Sequence, residues 1–222
     1  MRDTDGHGYF LVIEGVDGTG KSTAARNVAE ALADRGDDVV RVRDPGGTEA
    51  ADALRDMVLS GATRPFGPEA GALAYSLAYA DLLERVVRPA LGAGRTVVAD
   101  RFWLSTLVYQ PLAGADPDTV RRYAAVAAGG VVPDLTVLLD APERVCAARL
   151  SDRRVLDHWE AAALDTVRAR REAYLRTLPE VGGPTVVVDA TLPPEEVAGA
   201  VIAAMDAAPS PSADPGRPSP AP

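Results

Sequence analysis

A chain of 222 residues with 47% hydrophobic content is long enough to close one domain around a substantial core. No apolar run approaches the ~20 residues that cross a bilayer, so no membrane span is expected, and a net charge of −9 argues against a broad basic face for nucleic acid. The single cysteine, Cys146, excludes an internal disulfide and is expected as a buried, inert thiol; with residues 1–8 polar, flexible and unlike a signal peptide, the composition points to a soluble cytoplasmic protein.

In chain order, Tyr9 to Ile13 reads as a buried strand and Thr23 to Arg35 as a helix with Val28 and Leu32 on one face. Between them lies Gly15-Val16-Asp17-Gly18-Thr19-Gly20-Lys21-Ser22, the pattern G-x-x-x-x-G-K-S, in the strand–loop–helix context that a phosphate-binding loop requires. Lys21 is the one lysine of the chain, every other cationic side chain being Arg. A compact ammonium on a flexible stem fits inside a tight glycine loop where a planar fork does not. The loop implies a bound nucleoside triphosphate.

Asp38 to Arg43 reads as the second strand and ends at the turn Asp44-Pro45-Gly46-Gly47-Thr48, where Thr48 caps a helix from Glu49 to Leu59. A long helix follows from Pro68 to Leu91, with Leu73, Leu77, Leu83 and Val87 at 3–4 spacing. Arg95 to Asp100, Leu135 to Asp140 and Thr185 to Asp189 are strands, and Glu195 to Met205 is the closing helix. From Pro209 onward six of fourteen residues are proline, which predicts a disordered tail over 209–222 after a single domain over 9–208. Alternating strands and helices imply an α/β fold, a five-stranded parallel sheet flanked by helices. Asp17, Lys21, Asp44, Asp100, Arg101 and Asp140 all fall at strand ends, and the crevice beyond the carboxyl ends of an open parallel sheet is where ligands bind.

Over roughly residues 9 to 206 the chain resembles the thymidylate kinases, a branch of the P-loop nucleoside monophosphate kinases. The resemblance rests on Phe10 to Thr23 and on Arg43-Asp44-Pro45-Gly46-Gly47-Thr48, where the family usually has Glu at the place of Asp44. It continues through Arg88-Pro89-Ala90-Leu91, Asp100-Arg101-Phe102 with Ser105 and Tyr109-Gln110, Pro133-Asp134-Leu135-Thr136 with Leu139-Asp140, Asp157 with Glu160, and Asp189-Ala190. It implies transfer of the ATP γ-phosphoryl group to dTMP. On that reading Gly15, Val16, Asp17, Gly18, Thr19, Gly20, Lys21, Ser22 and Thr23 hold ATP, and Ser22 is placed for Mg²⁺. For Asp100 two roles stay open, a metal-side acid acting through water or a structural cap. Arg101 grips the acceptor phosphate, with Arg43 a second candidate. Asp17 faces the acceptor sugar, unless it is only the turn former of an Asp-Gly pair. Tyr75 is the aromatic that stacks on the base, Ser105 joins the acceptor site, and Tyr109 lies under the deoxyribose. No arginine stands between Gly15 and Gly20, whereas Arg149, Arg153 and Arg154 precede Asp157. Arg149 and Arg153 are i,i+4 neighbours and match a lid, about 150–160, that carries catalytic arginines; a solvated charged helix face is the alternative. The acceptor is an ionised phosphate, so no general base is needed.

Three departures stand out. Tyr79 occupies the position where the family has a base-reading Arg, and Thr106 the position where some relatives have an amide. His158 and Trp159 replace an Arg and an aliphatic residue in the lid, and Pro111 replaces a Gly. These leave room for a kinase of another or modified pyrimidine nucleoside monophosphate, or for a non-catalytic nucleotide-binding paralogue. A deoxynucleoside kinase would need Glu14 as a base. Relatives are homodimers, and the apolar helices here permit one.

Overall fold

The computed structural model describes residues 8–151 and 160–208. The expected flexible N-terminus, the core of the expected lid with Arg153, and the Pro-rich tail therefore lie outside the described residues, apart from Gly8. Five parallel strands, β1 (Phe10–Glu14), β2 (Val39–Arg43), β3 (Thr96–Asp100), β4 (Leu135–Asp140) and β5 (Thr185–Asp189), form one sheet in the order β2-β3-β1-β4-β5. β1 is central, with Ile13 opposite Asp100 of β3 and Val137 of β4. Its alternate side chains feed two cores. Leu11 and Ile13 pack with Val28 and Leu32 of α1 (Lys21–Asp34) and with Val201 and Met205 of α9 (Pro194–Ala207). Phe10 and Val12 pack on the other face with Tyr79, Leu82 and Phe102. That period-two division is what a doubly covered strand requires.

The helix after β2, α2 (Glu49–Leu59), starts where the sequence predicts. Thr48 Oγ1 accepts from the Ala51 amide at 3.0 Å, satisfying one orphan donor of the first turn. The single long helix expected over 68–91 is instead three pieces: α3 (Pro68–Leu82), a π turn over Leu83–Val87, and α4 (Arg88–Gly92). Its buried face also differs. Leu83 and Val87 are in the core, but Leu73 and Leu77 are more than half exposed. α3 is packed by α2, by α5 (Trp103–Leu112) and by α6 (Pro117–Ala128); Ala72, Ala74 and Ala78 meet that crowding with small side chains.

On the other side of the sheet, α7 (Glu143–Ser151) and α8 (Glu160–Thr177) pack together. Arg171 of α8 holds both oxygens of Asp140 at 2.6 and 2.8 Å, fixing α8 to the carboxyl end of β4. α8 buries Val167 and Tyr174, the turn that follows it buries Leu178, and Leu175 is exposed. Cys146, within α7, is fully buried, its thiol pushed up in pKa by burial. Among the described residues no helix is long and apolar enough to cross a membrane.

Candidate active site

The loop from β1 to α1 is shaped by close approaches that only glycine permits. A Cβ on Gly15 would lie 2.5 Å from the Leu139 carbonyl oxygen, and one on Gly18 would lie 2.4 Å from that of Cys146; both residues also have positive φ. β4 and α7 thus press the loop into its curve. Its amides and the start of α1 present the positive end of a fourteen-residue helix, a setting that favours phosphate. Lys21, 6% exposed, folds over the loop, where its Nζ donates to the Val16 carbonyl at 2.7 Å and lies 3.8 Å from Asp17. Burial, and next the charge of Arg101, push its pKa down to about 8 against the pull of Asp17, Asp100 and Glu14.

Ser22 Oγ donates to Asp100 Oδ2 at 2.5 Å, and Arg43 stands beside Asp100 in the β2–β3 register. These residues line a cleft of about 530 Å³ together with Asp17, Gly18, Thr19, Gly20, Thr23 and Arg101. Its far wall is Arg149 with the turn carrying Ala190, Leu192 and Pro194. Arg149 does not hang free; it donates to the Ala190 carbonyl at 2.8 Å. Ser22 and Asp100 are hard oxygen donors, and among the described residues no group of three or more acidic, His or Cys side chains is arranged to hold a metal ion by itself. One carboxylate and one hydroxyl fit Mg²⁺, which keeps waters and takes its remaining oxygens from substrate phosphates.

Arg101 turns back over the loop from the end of β3. It is the one non-glycine residue with positive φ (74°) among the described residues, an unfavourable backbone state for a β-carbon, and that twist aims its guanidinium at the loop. Nη1 donates to Gly15 O at 3.3 Å, Ser105 Oγ at 3.0 Å and Tyr174 Oη at 2.8 Å, and Nη2 donates to Asp17. Burial opposes its charge, yet Tyr174, Tyr109, Asp17 and Glu14 around it keep it firmly protonated. Asp17 also accepts from the Tyr109 hydroxyl at 3.2 Å. Burial would raise its pKa, but Arg101 and then Lys21 outweigh that and hold it below the usual carboxylate range.

Glu14, fully buried, accepts from the Phe102 amide at 2.9 Å, the Ser105 amide at 3.2 Å and Ser105 Oγ at 2.7 Å. Its oxygens brace the start of α5 and the seat of Arg101. Ser105 is likewise occupied, bridging Glu14 and Arg101. Asp44 is buried beside Glu14, and burial followed by that neighbour pushes its carboxyl up to about 8.

On α3, Tyr75 is half-buried and near enough to Arg55, Asp44 and Arg101 to feel their charges. Tyr79 stands apart from its expected place in the site: it is 0% exposed, stacked edge-on against Phe102 at 5.5 Å, with its hydroxyl donating to Ala124 O. Packing against Phe102 and α6 thus holds its ring in the core, whereas Tyr75, one turn earlier on α3, stays half-buried. Thr106 and Gln110 are buried on α5, and Gln110 Oε1 lies 3.1 Å from where a Cβ on Gly71 would be. Pro111 is absorbed within the last turn of α5.

Two residues that sequence reading passed over belong to this cluster. Tyr174 is buried with its hydroxyl between Arg101, Ser105 and Glu14. Arg170, one turn earlier on α8, places its guanidinium 4.9 Å from the Tyr109 ring centre and 3.8 Å from Asp17. Neither carries a motif; both arrive through the packing of α8.

Residues 13–201 match the family model described as Thymidylate kinase. The thymidylate kinases of Cereibacter sphaeroides and Rhizorhabdus wittichii are each 38% identical to this chain, over 205 and 193 residues, covering 89% and 81% of it and 94% and 93% of their own lengths. That of Rhodopirellula baltica is 36% identical over 197 residues, covering 88% of this chain and 79% of its own.

Proposed function

The chain belongs to the thymidylate kinase family, and on that premise we propose that it transfers the γ-phosphoryl group of ATP to dTMP, giving dTDP and ADP. The supporting observation is the meeting of two cations on one oxygen of Asp17: Lys21, buried inside the glycine loop, and Arg101 at the end of β3. One suits the donor phosphates and the other the acceptor phosphate. An oxygen of the dTMP phosphate attacks the γ-phosphorus, the bond from that phosphorus to the β–γ bridging oxygen breaks, and ADP leaves with the electron pair. The nucleophile is already ionised, so positioning and charge stabilisation suffice.

In this reading the loop amides and Lys21 hold the β- and γ-phosphates, and Lys21 leaves the Val16 carbonyl to do so. Ser22 and Asp100 would hold Mg²⁺, which when bound neutralises charge on the donor phosphates. Arg101 orients the acceptor phosphate, with Arg43 at the edge of the same cleft. Arg149, and Arg153 in the segment that follows α7, supply further cations to the transferring group as lid residues. Asp17 and Tyr109 meet the deoxyribose, and Tyr75, Thr106 and Gln110 surround the base. Glu14 has no part as a base for a nucleoside hydroxyl, because Phe102 and Ser105 occupy its oxygens.

The active unit we propose is a cytoplasmic homodimer, supported by the apolar surface that α3 leaves exposed at Leu73 and Leu77. The test is ADP release with Mg²⁺-ATP against a panel of nucleosides and their monophosphates. dTMP is expected as the best acceptor and thymidine as inert. Faster turnover of dCMP, dGMP or a modified dUMP would displace dTMP from the proposal, and silence across the panel would remove catalysis from it.

A further inference from the structure

Three cations converge on Asp17. Lys21 lies 3.8 Å from one carboxylate oxygen, Arg101 donates to that same oxygen, and Arg170 lies 3.8 Å from the other. Lys21 and Arg101 are also balanced by Glu14, and Lys21 by Asp100. Among the described residues Asp17, with 46% of its side chain exposed, is the one carboxylate within 4 Å of Arg170. Lys21 has the donor phosphates as its destination. Arg101 and Arg170 share a different neighbour: their guanidinium carbons lie 5.3 and 4.9 Å from the centre of the Tyr109 ring. Arg170 is not among the residues lining the 530 Å³ donor cleft, so it approaches Asp17 from the Tyr109 side.

We propose that Arg170 is a second guanidinium for the acceptor's phosphate, acting beside Arg101. This deepens the reading of the chain as a dTMP kinase and rests on it. The pair Arg170–Asp17 is long and partly exposed, the kind of contact that contributes little to stability and is readily exchanged. A nucleoside monophosphate carries two charges and three acceptor oxygens, and a guanidinium binds such a group through short charge-assisted hydrogen bonds. Tyr109 gives Arg170 a flat rest that keeps it extended toward the site without a competing strong partner among the described residues. Arg171, its neighbour, is committed to Asp140, so the two adjacent arginines divide into one that anchors α8 and one that serves the substrate.

The test compares binding of dTMP with binding of thymidine, which has the same base and sugar but no phosphate, by calorimetric titration of the full chain and its Arg170→Ala, Arg170→Gln and Arg170→Lys variants. Arg170→Ala and Arg170→Gln are expected to weaken dTMP about ten-fold and to raise its KM similarly. Thymidine affinity and the KM for ATP stay unchanged, and Arg170→Lys recovers much of the loss. Equal weakening of thymidine and dTMP would overturn the proposal in favour of a structural role through Tyr109. So would an unaltered dTMP affinity, or a loss confined to ATP. A wild-type chain that neither binds nor phosphorylates dTMP would overturn the functional reading along with this one; a normal wild type with an indifferent Arg170→Ala would overturn this one alone.

Discussion

On the proposed function, the donor and acceptor sides of the cleft would hold anions by different means. On the donor side the cradle is backbone, curved by Gly15 and Gly18 against β4 and α7, with one ammonium added. On the acceptor side the backbone contributes a single twisted residue, Arg101, and the rest is side chains drawn from the loop, α5 and α8. A backbone cradle is fixed in shape before ligand arrives, and its tolerance for change is small. A side-chain cluster can be retuned one residue at a time, which suits the half of the site that must tell one nucleotide from another.

Removal of one cation from each side is the most severe test of that contrast. Lys21→Ala and Arg101→Ala are each expected to lower kcat by at least ~10². Steady-state kinetics should place the KM penalty on ATP for the first and on dTMP for the second. Gly18→Ala comes next. The added methyl would meet Cys146 backbone at 2.4 Å with φ at 90°, so the cradle must open. A rise of about ten-fold in the KM for ATP and a lowered Tm are expected, with dTMP binding nearly intact by titration.

The pH dependence separates the two sides more gently. Lys21 has its pKa lowered to about 8 by burial and by Arg101, so its charged form is lost as pH rises through that value. Donor phosphates favour the charged form, and binding above pH 8 must take up a proton. kcat/KM for ATP is therefore expected to hold level below pH 8 and to fall about ten-fold per unit above it. A profile level to pH 10 would show that Lys21 stays charged in the free enzyme. Arg101, held protonated, gives no such limb for dTMP. The smallest effect belongs to Tyr79→Phe. It removes one buried hydrogen bond to Ala124 O and should reduce stability by about 1 kcal/mol, read by denaturant titration, while leaving the KM for dTMP unchanged.

This division also decides what could be read from sequence. Glycines that must have a given φ sit at fixed intervals within eight residues, so the donor cradle is a linear pattern, and Thr48 announces α2 for the same local reason. Four of the five strands are legible because each is a short, mostly apolar run closed by an acid, and β2 by its alternation of valine and arginine. Arg170 and Tyr174 carry no such local mark. They enter the site because Arg171 clamps α8 to Asp140, a contact 31 residues apart. The burial of Tyr79 is a tertiary matter as well: its ring meets Phe102 and its hydroxyl the Ala124 carbonyl, contacts that a constant helical period does not announce. Leu73 and Leu77 satisfy that period and still face outward, since periodicity marks an apolar face without saying what covers it.

The central position of β1 has a consequence for the newborn protein. Both of its neighbours, β3 and β4, are translated long after it, and the curve of the glycine loop leans on Leu139 and Cys146. The nucleotide cradle is thus translated well before the elements that give it its shape. Until some 130 further residues have followed Gly15, ATP has nothing formed to bind, and a chain stalled or truncated before α7 would be invisible to it.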